Sequence, residues 1–154
     1  MNAVPASAIA RLRRAVFARH ANPWSVWTRW ATAPLVLVPV WTRRWSHAAI
    51  VATRFAVNPV IFLKPADDRA WASRAMLGEE QWLVERPRDA ALGVNAAATV
   101  AAVIGVVAAR RRRLGPAVAA TAVQMALLLV YWALMARYLA RHRRRDLPAS
   151  GAES

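Results

Sequence analysis

Two uninterrupted apolar runs dominate the second half of the chain. Residues 90–109 read AALGVNAAATVAAVIGVVAA and residues 114–136 read LGPAVAATAVQMALLLVYWALMA, both without a charge. A helix rises ~1.5 Å per residue, so about twenty residues reach across a hydrocarbon core of ~30 Å. Between the runs stands RRRRLGP, whose Gly115 and Pro116 predict a tight turn, with Pro116 near the first helical position. The pattern predicts an antiparallel helical hairpin with spans at about residues 90–109 and 115–137.

The first half is more broken. TRWATAPLVLVPVWT has a short uncharged centre and two prolines, and extended back to Asn22 it is long enough to cross. Asn22 is then a good N-cap, and Pro23 sits where a missing N–H costs nothing. After Arg43 and Arg44 comes WSHAAIVATRFAVNPVIFL, interrupted by Arg54. Asn58-Pro59 predicts its end, because a residue before proline is pushed out of the α region. Arg54 is then one turn from the end and can snorkel to headgroups. These two segments, at about residues 23–41 and 44–58, predict a second hairpin, with a shallow re-entrant pair as the alternative.

Between the hairpins lies KPADDRAWASRAMLGEEQWLVERPRD. Read as a helix over about residues 68–85, it carries Trp71, Ala75, Gly78 and Trp82 on one apolar stripe, with Asp67 or Asp68 as its cap and Gly78 as a weak point. Such a helix predicts an interfacial position, its indoles at headgroup depth. Residues 9–20 (IARLRRAVFARH) form a basic, loosely amphipathic arm, and LPASGAES after the RHRRR run predicts a disordered end.

Composition changes this picture in two ways. The chain has 154 residues, 58% of them hydrophobic, with a net charge of +14. Such charge suits nucleic acid only when it clusters on a folded face, whereas here the arginines bracket apolar runs, so the partner it predicts is a lipid bilayer, with no nucleic acid. The amino-terminal, middle and carboxyl-terminal stretches carry 14 basic residues against 6 in the two hairpin turns, which predicts cytoplasmic termini and a multi-pass plasma-membrane protein. The four arginines at 110–113 run against that orientation. Cysteine is absent, so disulfides and thiolate chemistry are excluded.

Candidate chemistry is sparse. The histidines at 20, 47 and 142 lack metal-ligand spacing, and the serines lack an acid–base partner, so neither a metal, a cofactor nor a catalytic residue is expected. Gly93, Ala97, Ala101, Gly105 and Ala109 recur every four residues and predict a close helix contact, within the chain or in a homo-oligomer. Ala119, Ala122, Ala126, Ala133 and Ala136 are the matching face on the next span. Asn95 and Gln124 are the amides expected to bond between helices. Eight tryptophans sit mostly at predicted span ends, as an aromatic belt requires. Arg29 among Trp24, Trp27 and Trp30 is a candidate for an anionic lipid headgroup, and Trp82 for lipid or partner contact.

ANPWSVWTR, NPVIF and WASRAMLGEEQWL together resemble an uncharacterised family of small prokaryotic multi-span membrane proteins, a domain of unknown function. The resemblance covers about residues 21–141. It implies a membrane fold and no activity, and it points to Asn22, Trp24, Arg29, Asn58, Trp71, Ser73, Arg74 and Glu79 as positions to test. Arg54 and the four-arginine turn are atypical for such a family.

The whole predicts an all-α integral membrane protein: four transmembrane helices in two hairpins, with an interfacial amphipathic helix between them. A basic cytoplasmic arm at 1–21 precedes a four-span domain at 22–141, and a basic, then disordered tail fills 142–154. The expected role is a non-enzymatic helix-packing or lipid-binding membrane component. The alternatives are a small oligomeric transporter or channel, disfavoured by the lack of acids inside the spans, and a membrane-surface lipid-modifying enzyme using the acidic residues of 67–89.

Overall fold

A computed structural model describes residues 22–62, 67, 69–85 and 87–145, and among these the chain is helical with no strand. The basic arm at 1–21, Asp68 and the tail beyond 145 lie outside the described residues. In chain order the helices are α1 (Pro23–Thr32), a 3-10 turn (Ala33–Val36), α2 (Leu37–Thr42), α3 (Trp45–Ile61), α4 (Trp71–Glu85), α5 (Ala90–Arg110) and α6 (Leu114–Arg145).

Among the described residues, helices α5 and α6 are the two long and apolar enough to cross a membrane. Asp89 caps α5 by accepting from the backbone N–H groups of Ala91 at 3.1 Å and Leu92 at 3.3 Å. The turn that follows is tight and Pro116 lies near the start of α6, as expected, but glycine does not make the turn. Arg112, with φ 57°, takes the left-handed position, and Gly115 and Pro116 lie inside the first turn of α6. The Arg113 N–H reaches the Ala108 carbonyl at 2.9 Å, and the Arg112 N–H reaches Ala109 at 3.0 Å. That pair of bonds is a Schellman closure, usually built on glycine because a Cβ costs about 1–2 kcal/mol there.

The small-residue stripe also needs correction. Ala101, Gly105 and Ala109 are buried, whereas Gly93 and Ala97 are exposed, and a Cβ at Gly93 would meet nothing within 4 Å. A strict four-residue repeat drifts ~40° per step around a 3.6-residue helix, so five positions cannot share one face. The buried residues are Ala91, Ala98, Ala101, Gly105, Ala108 and Ala109, mostly three or four apart, a spacing that suits antiparallel packing at a shallow angle. On α6 the facing residues are Ala117, Ala120 and Thr121, while Ala119, Ala122 and Ala126 point out. The Cβ position of Gly105 is 3.4 Å from Thr121 Oγ1, so small residues set the approach. Asn95 and Gln124 are half-buried, and no hydrogen bond joins them.

The first half does not supply two further helices of that quality. Asn22 caps α1 as its sequence predicts, accepting from Trp24 N at 3.0 Å and Ser25 N at 3.3 Å. Pro34 then forces a 3-10 turn, and α2 ends after Thr42 on Arg43, again left-handed at φ 56°. The 23–41 segment is thus three short pieces. Helix α3 has 17 residues and continues past Asn58-Pro59 to Ile61, contrary to the expected stop at 58. The side chain of Asn58 is held by bonds to α1 and to Arg54, which offset the steric bias against a helical residue before proline.

Helix α4 begins at Trp71 with no cap from Asp67, whose carboxylate instead accepts from the Arg69 N–H at 3.0 Å. Its apolar stripe faces protein: Ala75, Gly78 and Trp82 are buried against the second half of α6. Gly78 is the contact that allows this. A Cβ there would overlap the Met135 carbonyl and touch the Leu139 Cβ at 3.4 Å. With 32 residues, α6 is about 48 Å long, more than the ~30 Å of a hydrocarbon core, and α4 packs against its second half.

Candidate functional site

The candidate residues of the first half converge where α1 meets the ends of α3 and α4. Ser25, Asn58 and Ser73 are all completely buried. The Asn58 amide donates to the Ser25 hydroxyl at 2.8 Å and to the Ser25 carbonyl at 3.1 Å. Its own oxygen accepts from Arg54 at 2.6 Å and lies 3.0 Å from the Thr28 hydroxyl. Arg29 Nε also donates to the Ser25 carbonyl, at 3.2 Å. Arg54, expected to reach outward to headgroups, is therefore turned inward onto Asn58. Among the described residues no buried side-chain nitrogen or oxygen lacks a hydrogen-bond partner, which is the condition under which a buried polar cluster holds a fold together.

Above this knot four indoles from three helices meet. Trp27 of α1 stacks on Trp71 of α4 at 5.9 Å and stands edge-on to Trp30 and to Trp132 of α6. The Trp30 indole N–H donates to the Met125 carbonyl at 3.2 Å. Trp24 and Trp45 stand 71% and 90% exposed, whereas the clustered indoles pack on one another. Trp82, offered as a lipid or partner contact, is buried; its indole N–H donates to the Asp89 carboxylate and its ring stands edge-on to Tyr131.

The acids of α4 are engaged in the same way. Glu79 accepts from the Tyr131 hydroxyl at 3.2 Å. Burial pushes its carboxyl up from the usual range, opposed by that hydrogen bond and by the attraction of Arg29. Glu85 binds the Tyr138 hydroxyl, Gln81 at 3.0 Å and His142 at 3.1 Å, and these donors, the tyrosine foremost, hold its carboxyl below the usual range.

Of the positions singled out in the sequence, the fold therefore gathers Trp27, Arg29, Asn58, Trp71, Ser73 and Glu79 around one junction. Trp24 and Arg74 stay exposed, and Asn22 serves as a cap. Ser25, Thr28, Arg54, Tyr131 and Trp132 were missed, although Ser25/Thr28 and Arg54/Asn58 fall at the three- and four-residue spacings that put polar groups on one helix face. Chemically the cluster is a lock. The Ser25 hydroxyl faces an amide donor, which cannot take up its proton. Among the described residues no three His, Asp or Glu side chains group as metal ligands.

The model of a family of unknown function (DUF6653) matches residues 5–139. No curated protein and no solved structure matches the chain.

Proposed function

The chain belongs to that family, and on this premise we propose that it is a non-enzymatic multi-pass membrane component with four traverses in two hairpins. The observation that carries the reading is the outward face of α5 and α6. Val100, Val103, Ile104, Leu114, Val118 and Val123 are each more than half exposed, an apolar surface that water disfavours and acyl chains accept. The first half supports two further traverses. Trp27 lies beside Trp132 at one end, Arg43 bonds the Arg110 carbonyl at 3.2 Å at the other, and α3 returns to place Asn58 on Ser25. In this reading the broken α1–α2 segment is tolerated because protein, in addition to lipid, covers it. Helix α4 then lies at the water boundary against α6, and both termini are cytoplasmic in a plasma membrane. Commitment of Glu79, Glu85 and Asp89 to structural partners favours this role over a lipid-modifying enzyme.

The native chain has no cysteine, so single replacements test the topology directly. Ser46→Cys and Arg113→Cys should react with an impermeant maleimide from outside, and Arg69→Cys only after permeabilisation. Ser46 and Arg113 reporting opposite sides would defeat the two-hairpin arrangement.

A further inference from the structure

A second feature lies at the opposite end of the molecule from the lock. Between α2 and the α5–α6 hairpin runs a cleft of about 490 Å³, within the ~300–1,000 Å³ range of ligand sites. Its walls are almost wholly apolar, with Pro34, Leu37 and Trp41 on one side and Ala117, Val118 and Ala122 on the other. The cleft exists because the proline-bent segment stands off from a hairpin wall built of alanines, too small to fill the gap.

The rim has a single sign. Arg43 and Arg44 close one hairpin, Arg110, Arg111, Arg112 and Arg113 close the other, and Arg43 joins the two through its bond to the Arg110 carbonyl. Arg112 ties the rim to the cleft, its guanidinium 5.5 Å from the ring centroid of Trp41, a lining residue. Every described acidic residue falls within 67–89. Those of α4 and Asp89 sit a whole α5 length away, about 30 Å, against a screening length of ~8–10 Å. Asp67 is paired with Arg69 at 3.9 Å, and among the described residues no ion pair joins a carboxylate to these six arginines.

Resting on the membrane reading, we propose that this cleft binds an anionic glycerophospholipid, one acyl chain along α2 and the headgroup phosphate on Arg112 and Arg113. An apolar slot opening under guanidinium groups is complementary to a molecule that is apolar at one end and anionic at the other. A second copy of the chain fits less well, because in a membrane it would bring an identical arginine rim to the same depth.

The test uses the full chain in phosphatidylcholine vesicles containing a minor share of phosphatidylglycerol, extracted gently and weighed by native mass spectrometry. One phosphatidylglycerol per chain should survive, in preference to phosphatidylcholine. Arg112→Asn, which suits a left-handed residue, and Arg113→Gln should each lower retention about fivefold. Ala122→Phe, at an exposed lining position, should lower it with every charge intact. Equal retention of both lipids, indifference to Ala122→Phe, or a second copy in place of lipid would overturn the proposal. Carbonate washing of the same vesicles separates the two readings: a chain that is stripped away defeats both, and a chain that stays embedded without selective retention defeats only the cleft.

Discussion

At the α4 end, acids, amides, hydroxyls and indoles from α1, α3, α4 and α6 satisfy one another, and the buried residues Val26, Ala72, Ala75, Met76, Trp82, Tyr131 and Met135 form the larger apolar core. At the turn end the buried set shrinks to Ala108, Ala109 and Ala117, two arginines hold left-handed backbone, and an open apolar cleft takes the place of packing. The α4 end is closed by side chains finding each other. The turn end leaves both its charge and its apolar surface to be met from outside. Under the proposed membrane reading, lipid supplies what the second end lacks, and the contrast assigns stability to one end and lipid binding to the other.

The largest effect should come from breaking the α4 contact. Gly78→Ala places a methyl group into the Met135 backbone, and overpacking of that kind costs about 1–3 kcal/mol. It should lower the thermal midpoint in detergent and change tryptophan emission as Trp71 leaves Trp27 and Trp132. Unchanged emission would mean that α4 is not seated as described. Next is Asn58→Leu, which leaves the Ser25 hydroxyl and the Arg54 guanidinium without their partner, at about 1–3 kcal/mol. The same substitution should leave lipid retention at the turn end within twofold. A parallel loss there would erase the division between the ends.

A smaller effect concerns pH. Burial raises the folded-state pKa of Glu79 above its unfolded value, so the folded chain binds more protons than the unfolded one just above the ordinary carboxylate range. The stability this supplies is complete below that range and is lost as pH rises through the raised pKa. Glu79→Gln should flatten the slope of the unfolding midpoint over that window; an unaltered slope assigns it elsewhere. The smallest effect is at the turn end, where Arg43→Gly relieves a left-handed side-chain residue and should stabilise by about 0.5–1 kcal/mol. A fall in the melting midpoint would show that the Arg43 bond to Arg110 outweighs the backbone strain.

Much of the second half was legible because periodicity and length are local signals: residues 90–109 and 114–136 announce α5 and α6 directly. Gly93 to Ala109 resemble one stripe in the sequence, but a four-residue spacing drifts around the helix, and Gly93 and Ala97 face outward. Gly78 looked like a weakness in a helix; only the position of Met135, 57 residues later, reveals it as a contact. The lock was half-visible. Asn58, Ser73 and Glu79 stood out, but the pairing of Asn58 with Ser25 joins residues 33 positions apart, and no local pattern encodes it. The cleft was invisible for the same reason, since it forms between a proline-bent segment and alanines 67 or more residues away.

The central claim is that the outward faces of α5 and α6 lie in acyl chains, and site-directed spin labels in vesicles measure it most directly. Labels at Val103, Val107, Val118 and Val130 should be relaxed by dissolved oxygen and shielded from an aqueous nickel complex, whereas labels at Ala101 and Ala108 should be shielded from both. Free access of the nickel complex to the four valine positions would place those faces in water and contradict the account.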